Sequence, residues 1–117
     1  MKQNEIWLIN LDPTIGAEIK KTRPAIIVID NALGRLPLKI IVPVTDWKEK
    51  YKIAPWMVKI EPDDENGLQK TSTADCFQIR SISQQRFIRK LGTISENIMG
   101  EIRIGLSRVL SISATFK

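Results

Sequence analysis

Short apolar runs cut by turn residues, rather than long amphipathic stripes, occupy this chain from its start to Leu91. Ile6 to Asn10, Pro24 to Ile29 and Leu38 to Val44 read as buried strands, each rich in Ile, Val or Leu and bounded by turn-forming residues. Trp56 to Ile60 predicts a fourth strand with Trp56, Val58 and Ile60 on one face; Ala74 to Ile79 predicts a fifth and Phe87 to Leu91 a sixth. Pro37 suits a strand start. Pro43 has no N–H to give a ladder, which predicts an edge or a bulge close to Thr45. Ser83 to Arg86 fits a single helical turn.

The period changes after Thr93. Ile98, Ile102, Leu106 and Val109 recur at helical spacing, with Met99 and Leu110 beside them and Arg103 and Arg108 on the polar side. Ser95 is placed to cap this helix, Glu96 puts a negative charge in its first turn, and Ile94 and Met99 fit a hydrophobic staple. Gly100 and Gly105 each cost about 1 kcal/mol against Ala, so packing of the stripe has to hold the helix. The expected fold is mainly β with α: a small antiparallel barrel, or curled sheet, closed by a C-terminal helix.

A length of 117 residues suits one domain, 1–117, with a core of its own. No apolar run approaches the roughly 20 residues that span a bilayer, and the start of the chain lacks a signal-peptide core, so the expected location is cytoplasmic, with no membrane partner. Cys76, the only cysteine, reads as a small buried hydrophobe. The chain has no histidine, which removes hydrolysis driven by His, Cys–His or zinc; no metal and no cofactor are expected. A GxxxxGK[ST] phosphate loop is also missing.

A net charge of +5 points to an anionic partner. The cations gather as Lys20, Lys21 and Arg23, as Lys48, Lys50 and Lys52, and as Arg86, Arg89 and Lys90; the acids gather as Glu61, Asp63, Asp64 and Glu65 before Asn66-Gly67. The first basic group sits on a polar connection that begins at Pro13 and Gly16, carries Glu18, and is braced by a strand on each side. RNA would escape the limits set by the missing histidine, because it carries its own nucleophile. Its 2′-hydroxyl can attack the adjacent phosphorus, and an Arg, a hydroxyl and a carboxylate are adequate to align the phosphate, stabilise its charge and move a proton.

Several spaced motifs then agree. Glu5-Ile6-Trp7-Leu8, Asp12-Pro13-Thr14, Gly16, Glu18 and Thr22-Arg23-Pro24, followed by Val42-Pro43-Val44-Thr45, Asn66-Gly67-Leu68 and Gln78-Ile79-Arg80-Ser81-Ile82, resemble the MazF/PemK toxins of bacterial toxin–antitoxin systems. The resemblance implies an SH3-like (MazF/CcdB-like) barrel. It also implies a homodimeric, metal-independent, sequence-selective endoribonuclease acting on single-stranded RNA and restrained by a cognate acidic antitoxin, with DNA reached only through that antitoxin.

Carried over by position, Arg23 and Thr45 match the family's catalytic arginine and hydroxyl residue, and Glu18 matches a loop acid suited to act as base. Lys20, Lys21 and Lys48 are candidates for phosphate contacts, and Trp47 and Gln78 for contacts to bases. Trp7 and Trp56 fall in strand patterns and read as core. The chain departs from some members in having Ala17 where they carry a histidine. It departs from others in having Asp75, Cys76 and Phe77 where an Arg and an Asp precede the glutamine. Two other readings remain open on the sequence: a CcdB-like toxin that poisons gyrase through protein contacts, and a barrel that binds nucleic acid without cutting it.

Overall fold

The computed structural model describes residues 1–113. Its strands are β1 (Glu5–Asn10), β2 (Thr22–Ile27), β3 (Leu38–Asp46), β4 (Met57–Ile60), β5 (Ser72–Asp75), β6 (Arg80–Ser83) and β7 (Phe87–Thr93), followed by helix α1 (Glu96–Leu110). All paired strands run antiparallel, in the order β4-β5-β3-β2-β1-β7, with β6 on β3 beside this path.

β1, β2 and β3 are apolar almost throughout because both of their faces are covered. Ile6, Ile26 and Val42 point into one core with Val44, Val58, Ile60 and the helix residues Met99 and Ile102. Their neighbours Ile9, Ala25, Ile27 and Ile41 point the other way, into a second core with Leu11 and Ile82. Burial on two faces replaces alternation with a continuous run, as these segments show.

β3 changes partner along its length. Leu38 to Ile41 pair with β6, whereas Val44 to Asp46 pair with β5. Pro43 falls in the interval between those two ladders, where the strand has left one neighbour and not yet met the next. That interval meets the condition Pro sets on a strand without placing it on a free edge.

The strand expected over Ala74 to Ile79 stops at Asp75, and a further strand that was not expected, β6, begins at Arg80. Asp75 Oδ1 accepts from the Phe77 amide at 3.1 Å, and the Cys76–Gln78 turn this closes separates β5 from β6. A side chain that offers the backbone a local partner has ended the ladder. The single turn expected over Ser83 to Arg86 is present as Gln84–Arg86, with the Ser83 hydroxyl accepting from the Gln85 amide.

The two ends of the sheet, β4 and β7, are tied by the turn that follows β4. Asp63 Oδ1 accepts from the amides of Glu65 and Asn66, both at 2.8 Å, and the buried Asn66 side chain donates to Glu61 O at 2.9 Å. The turn so fixed gives its Glu65 carbonyl to the Thr93 amide of β7 at 2.9 Å. The sheet curls into a barrel through this junction.

The Ser95 hydroxyl accepts from the Ile98 amide at 3.2 Å, so α1 is capped as its sequence predicts. Met99 and Ile102 of this helix, and Ile94 just before its cap, join the first core. Its glycines differ. A Cβ on Gly105 would lie 2.9 Å from Cys76 Sγ, so the absence of a side chain there lets the helix settle on the Cys76–Gln78 turn. A Cβ on Gly100 would meet nothing within 4 Å. Gly100→Ala should therefore stabilise the protein by about 0.5–1 kcal/mol. Urea unfolding measures this, and an unchanged or lowered midpoint would contradict it.

Candidate functional site

β2 begins and β3 ends at the same place on the barrel. Their pairing runs from Ile27 with Ile41 to Ala25 with Pro43. The same register carried two residues further sets Arg23 opposite Thr45, beyond the last paired residues, where the ladder has opened. A groove of about 430 Å³ lies there, with Arg23 and Thr45 among its walls.

Leu8, Pro24, Val44 and Leu91 give the groove an apolar side, and Gly67 and Leu68 of the barrel-closing junction complete it. Arg23 is half-buried, and its Nε donates to Lys20 O at a long 3.4 Å. Neither terminal guanidinium nitrogen of Arg23 nor the Thr45 hydroxyl has a hydrogen-bond partner among the described residues. Asp46 follows Thr45 into the groove, with Oδ2 at 3.0 Å from Lys70 Nζ. With Arg89, the groove holds three cations against one carboxylate, a balance that attracts phosphate.

Glu18 and Gln78 lie elsewhere. They line a neighbouring groove of about 360 Å³ with Ile15, Ala17, Phe77, Ile79 and Arg80, and none of these residues lines the first. Glu18 Oε1 accepts from the Ile15 amide at 2.6 Å, closing a turn of its own loop. This differs from the expectation of a base beside Arg23: a short carboxylate–amide bond within the loop holds Glu18 where it is.

Gln78 is engaged as well. Its Oε1 accepts from the Ile19 amide at 2.6 Å, and its Nε2 lies 3.4 Å from Asp75 Oδ2. The side chain expected to read a base thus holds the β1–β2 connection onto the Cys76–Gln78 turn. Burial holds the Asp75 carboxyl above its usual range, against the bonds it accepts from Phe77 and Gln78. Burial, with Asp75 adding to it, pushes the adjacent Cys76 thiol up to about 12, which leaves it inert as a nucleophile.

Lys20 and Lys21 are exposed on the same connection, just before Arg23. Lys48 is exposed at the foot of the short Glu49–Ile53 turn. Trp47 is half-buried, edge-on to Tyr51 at 6.0 Å, with the Lys59 ammonium 5.1 Å from its ring centre. Trp7 packs on Phe87 at 5.7 Å beside the second core, and Trp56 on Phe77 at 5.9 Å beside the first.

The groove residues that the sequence did not single out are Asp46, Gln69, Lys70 and Ser72, and Arg89 was read there only as one of a basic group. Asp46 could have been found from its place after Thr45 on the strand. The others enter through tertiary closure, which brings the segment after Gly67 and strand β7 to the ends of β2 and β3.

Known proteins share the family profile and the fold. Residues 2–110 match the profile of the PemK-like, MazF-like toxin of type II toxin–antitoxin systems. Endoribonuclease PemK of Escherichia coli is 36% identical over 113 residues, covering 95% of this chain and 83% of that protein. Among solved structures, MazF of Deinococcus radiodurans superposes with a TM-score of 0.78 at 23% identity, covering 95% of this chain and 96% of that one. A mycobacterial endoribonuclease in complex with its cognate antitoxin superposes with a TM-score of 0.76 at 18% identity, covering 97% of each chain.

Proposed function

This chain belongs to the family of PemK-like, MazF-like toxins of type II toxin–antitoxin systems, and from that premise we propose that its Arg23–Thr45 groove cleaves single-stranded RNA. The observation that carries the reading is the meeting of Arg23 and Thr45, from two strands, in one cationic groove where the terminal guanidinium nitrogens and the hydroxyl have no partner among the described residues.

RNA supplies the nucleophile. The 2′-oxygen bonds to the adjacent phosphorus, the bond from phosphorus to the 5′-oxygen breaks, and a 2′,3′-cyclic phosphate and a 5′-hydroxyl result. Arg23 is charged at any relevant pH and holds the non-bridging oxygens as negative charge gathers on the phosphorane. The Thr45 hydroxyl donates to one of those oxygens and fixes the alignment. The 2′-hydroxyl proton goes to a carboxylate, and the departing 5′-oxygen takes a proton from water in the open groove.

We assign the proton removal to Asp46, which follows Thr45 on β3 and lines the same groove. Glu18 instead lines the neighbouring groove, which neither Arg23 nor Thr45 enters. Asp46→Asn should lower cleavage by about 100-fold, the lower range for a lost general base. Glu18→Gln should leave the rate near that of the parent. The opposite pair of results would return the role of base to Glu18.

The reading is tested by incubating the protein with a long RNA in EDTA. Fragments with 5′-hydroxyl ends, labelled by polynucleotide kinase without prior dephosphorylation, are expected. Fragments that form only when a divalent ion is added, or that carry 5′-phosphates, would overturn it. A gyrase poison, or a barrel that only binds nucleic acid, would leave the RNA whole.

Such an enzyme needs restraint in the cytoplasm it shares with its substrate. An acidic antitoxin segment suits the exposed Lys20 and Lys21 beside Arg23, and its binding should weaken with salt. Exposed apolar side chains such as Ile53, Ile88 and Ile104 offer surface for that partner or for a second copy of the chain in a homodimer. Among the described residues, no helix is long and apolar enough to cross a membrane.

A further inference from the structure

We propose that Arg89 is a substrate-binding residue of this groove, holding the phosphate next to the scissile one; the inference rests on the nuclease reading and extends it. Strict alternation along β7 would put Phe87 and Arg89 on one face. The pairing with β1 shows otherwise. Phe87 is opposite Ile9 and Arg89 is opposite Leu8, which leaves Ile88 as an extra residue without a partner. A second shift, between the pairs Trp7 with Lys90 and Ile6 with Gly92, leaves Leu91 extra in the same way.

Residues directly opposite in a ladder share a face. The bulge at Ile88 therefore keeps Phe87 with Ile9 in the second core and turns Arg89 to the face of Leu8, which lines the groove. Bulges of this kind re-aim side chains, and here two of them bracket one arginine. The consequence is a guanidinium at the groove wall with no hydrogen bond or ion pair to another described residue. Lys90, one position on, is by contrast paired with Glu5 at 3.4 Å.

The location sets the role. Leu8 is the partner of Pro24 on one side and of Arg89 on the other. Arg89 is thus two strand spacings, about 10 Å, across the sheet from the residue that follows Arg23. Arg23 and Thr45 flank one phosphate at the near wall. A second guanidinium across an apolar floor suits another phosphate of the same strand, with the intervening nucleoside over Leu8 and Leu91. Contacts of that kind hold the substrate in register and leave the chemical step alone.

The test maps a cut site on the long transcript and then uses a fluorescein-labelled RNA oligonucleotide spanning it, all-ribose for rates and with one 2′-deoxy sugar at the cut for binding. Arg89→Gln should raise KM and Kd about 10-fold, leave kcat near the parent value, and reduce the slope of log Kd against log salt by about 0.7, the loss of one single-strand phosphate contact. Arg89→Lys should recover most of the binding, since a point charge serves a phosphate. A methylphosphonate at one linkage beside the cut should weaken the parent and leave Arg89→Gln unchanged.

A fall in kcat at unchanged KM would put Arg89 on the scissile phosphate and overturn the proposal, as would unchanged binding and salt slope. If the parent protein leaves RNA whole, the nuclease reading fails by itself. The same salt titration with labelled oligouridylate then decides for Arg89: a reduced slope in Arg89→Gln supports its phosphate contact, and an unchanged slope refutes it.

Discussion

Arg23→Ala and Thr45→Ala are each expected to slow RNA cleavage by about 100-fold or more, the loss that follows removal of one donor aimed at developing transition-state charge. Both residues lie past the last β2–β3 pair and remain in ladders on their other side, Arg23 with Ile9 and Thr45 with Thr73, through backbone bonds that truncating the side chain leaves in place. Circular dichroism and the urea midpoint should stay close to those of the parent. The loss should appear in kcat, because the phosphorane carries more charge than the ground-state phosphodiester and draws more from each donor. Arg23→Lys should recover little of the rate, since an ammonium does not reproduce the fork of a guanidinium. Single-turnover rates at saturating protein measure this directly. Near-parent rates in either alanine variant would remove that residue from the chemistry.

Much of the barrel can be read from hydrophobic pattern because β1, β2 and β3 are buried on both faces and the helix has a clean stripe. The sequence fails where polar groups decide. Ser72, Thr73 and Asp75 are buried strand residues with no apolar signature, and the Asp75 side chain closes the turn that cuts the expected fifth strand short. Lys39 is buried too, its ammonium donating to Gly34 O at 2.6 Å, which a pattern of apolar positions does not reveal.

The site divides along the same line. Arg23 and Thr45 are legible because motif and register agree on them. Glu18 and Gln78 sit in matching motifs, but the path of the β1–β2 connection engages both with backbone amides in another groove. Arg89 is hidden for a third reason: a bulge changes which face a strand residue occupies, and alternation counted from the sequence then gives the wrong side.

Gly92→Ala should damage the fold severely for a single added methyl, costing about 3 kcal/mol or more, at the upper end of what overpacking exacts. A Cβ on Gly92 would overlap the Glu65 carbonyl oxygen, and across the junction a Cβ on Gly67 would overlap the Leu91 carbonyl oxygen. These obstacles are backbone, so no rotamer change relieves them. They also sit where the Glu65–Thr93 hydrogen bond joins the two ends of the sheet, so moving the turn away opens the barrel. Gly67 adds a φ of +70°, which would strain an alanine further.

The damage should reach function, because Gly67, Leu68 and Leu91 of this junction line the groove that holds Arg23 and Thr45. Urea unfolding of Gly92→Ala should show a large loss of stability, and the fraction that remains folded should bind the uncleavable oligonucleotide more weakly. Asp64→Ala, in the exposed part of the same turn, should change neither. A Gly92→Ala protein as stable as its parent would mean that the turn can move without cost and that the junction does not hold the barrel closed.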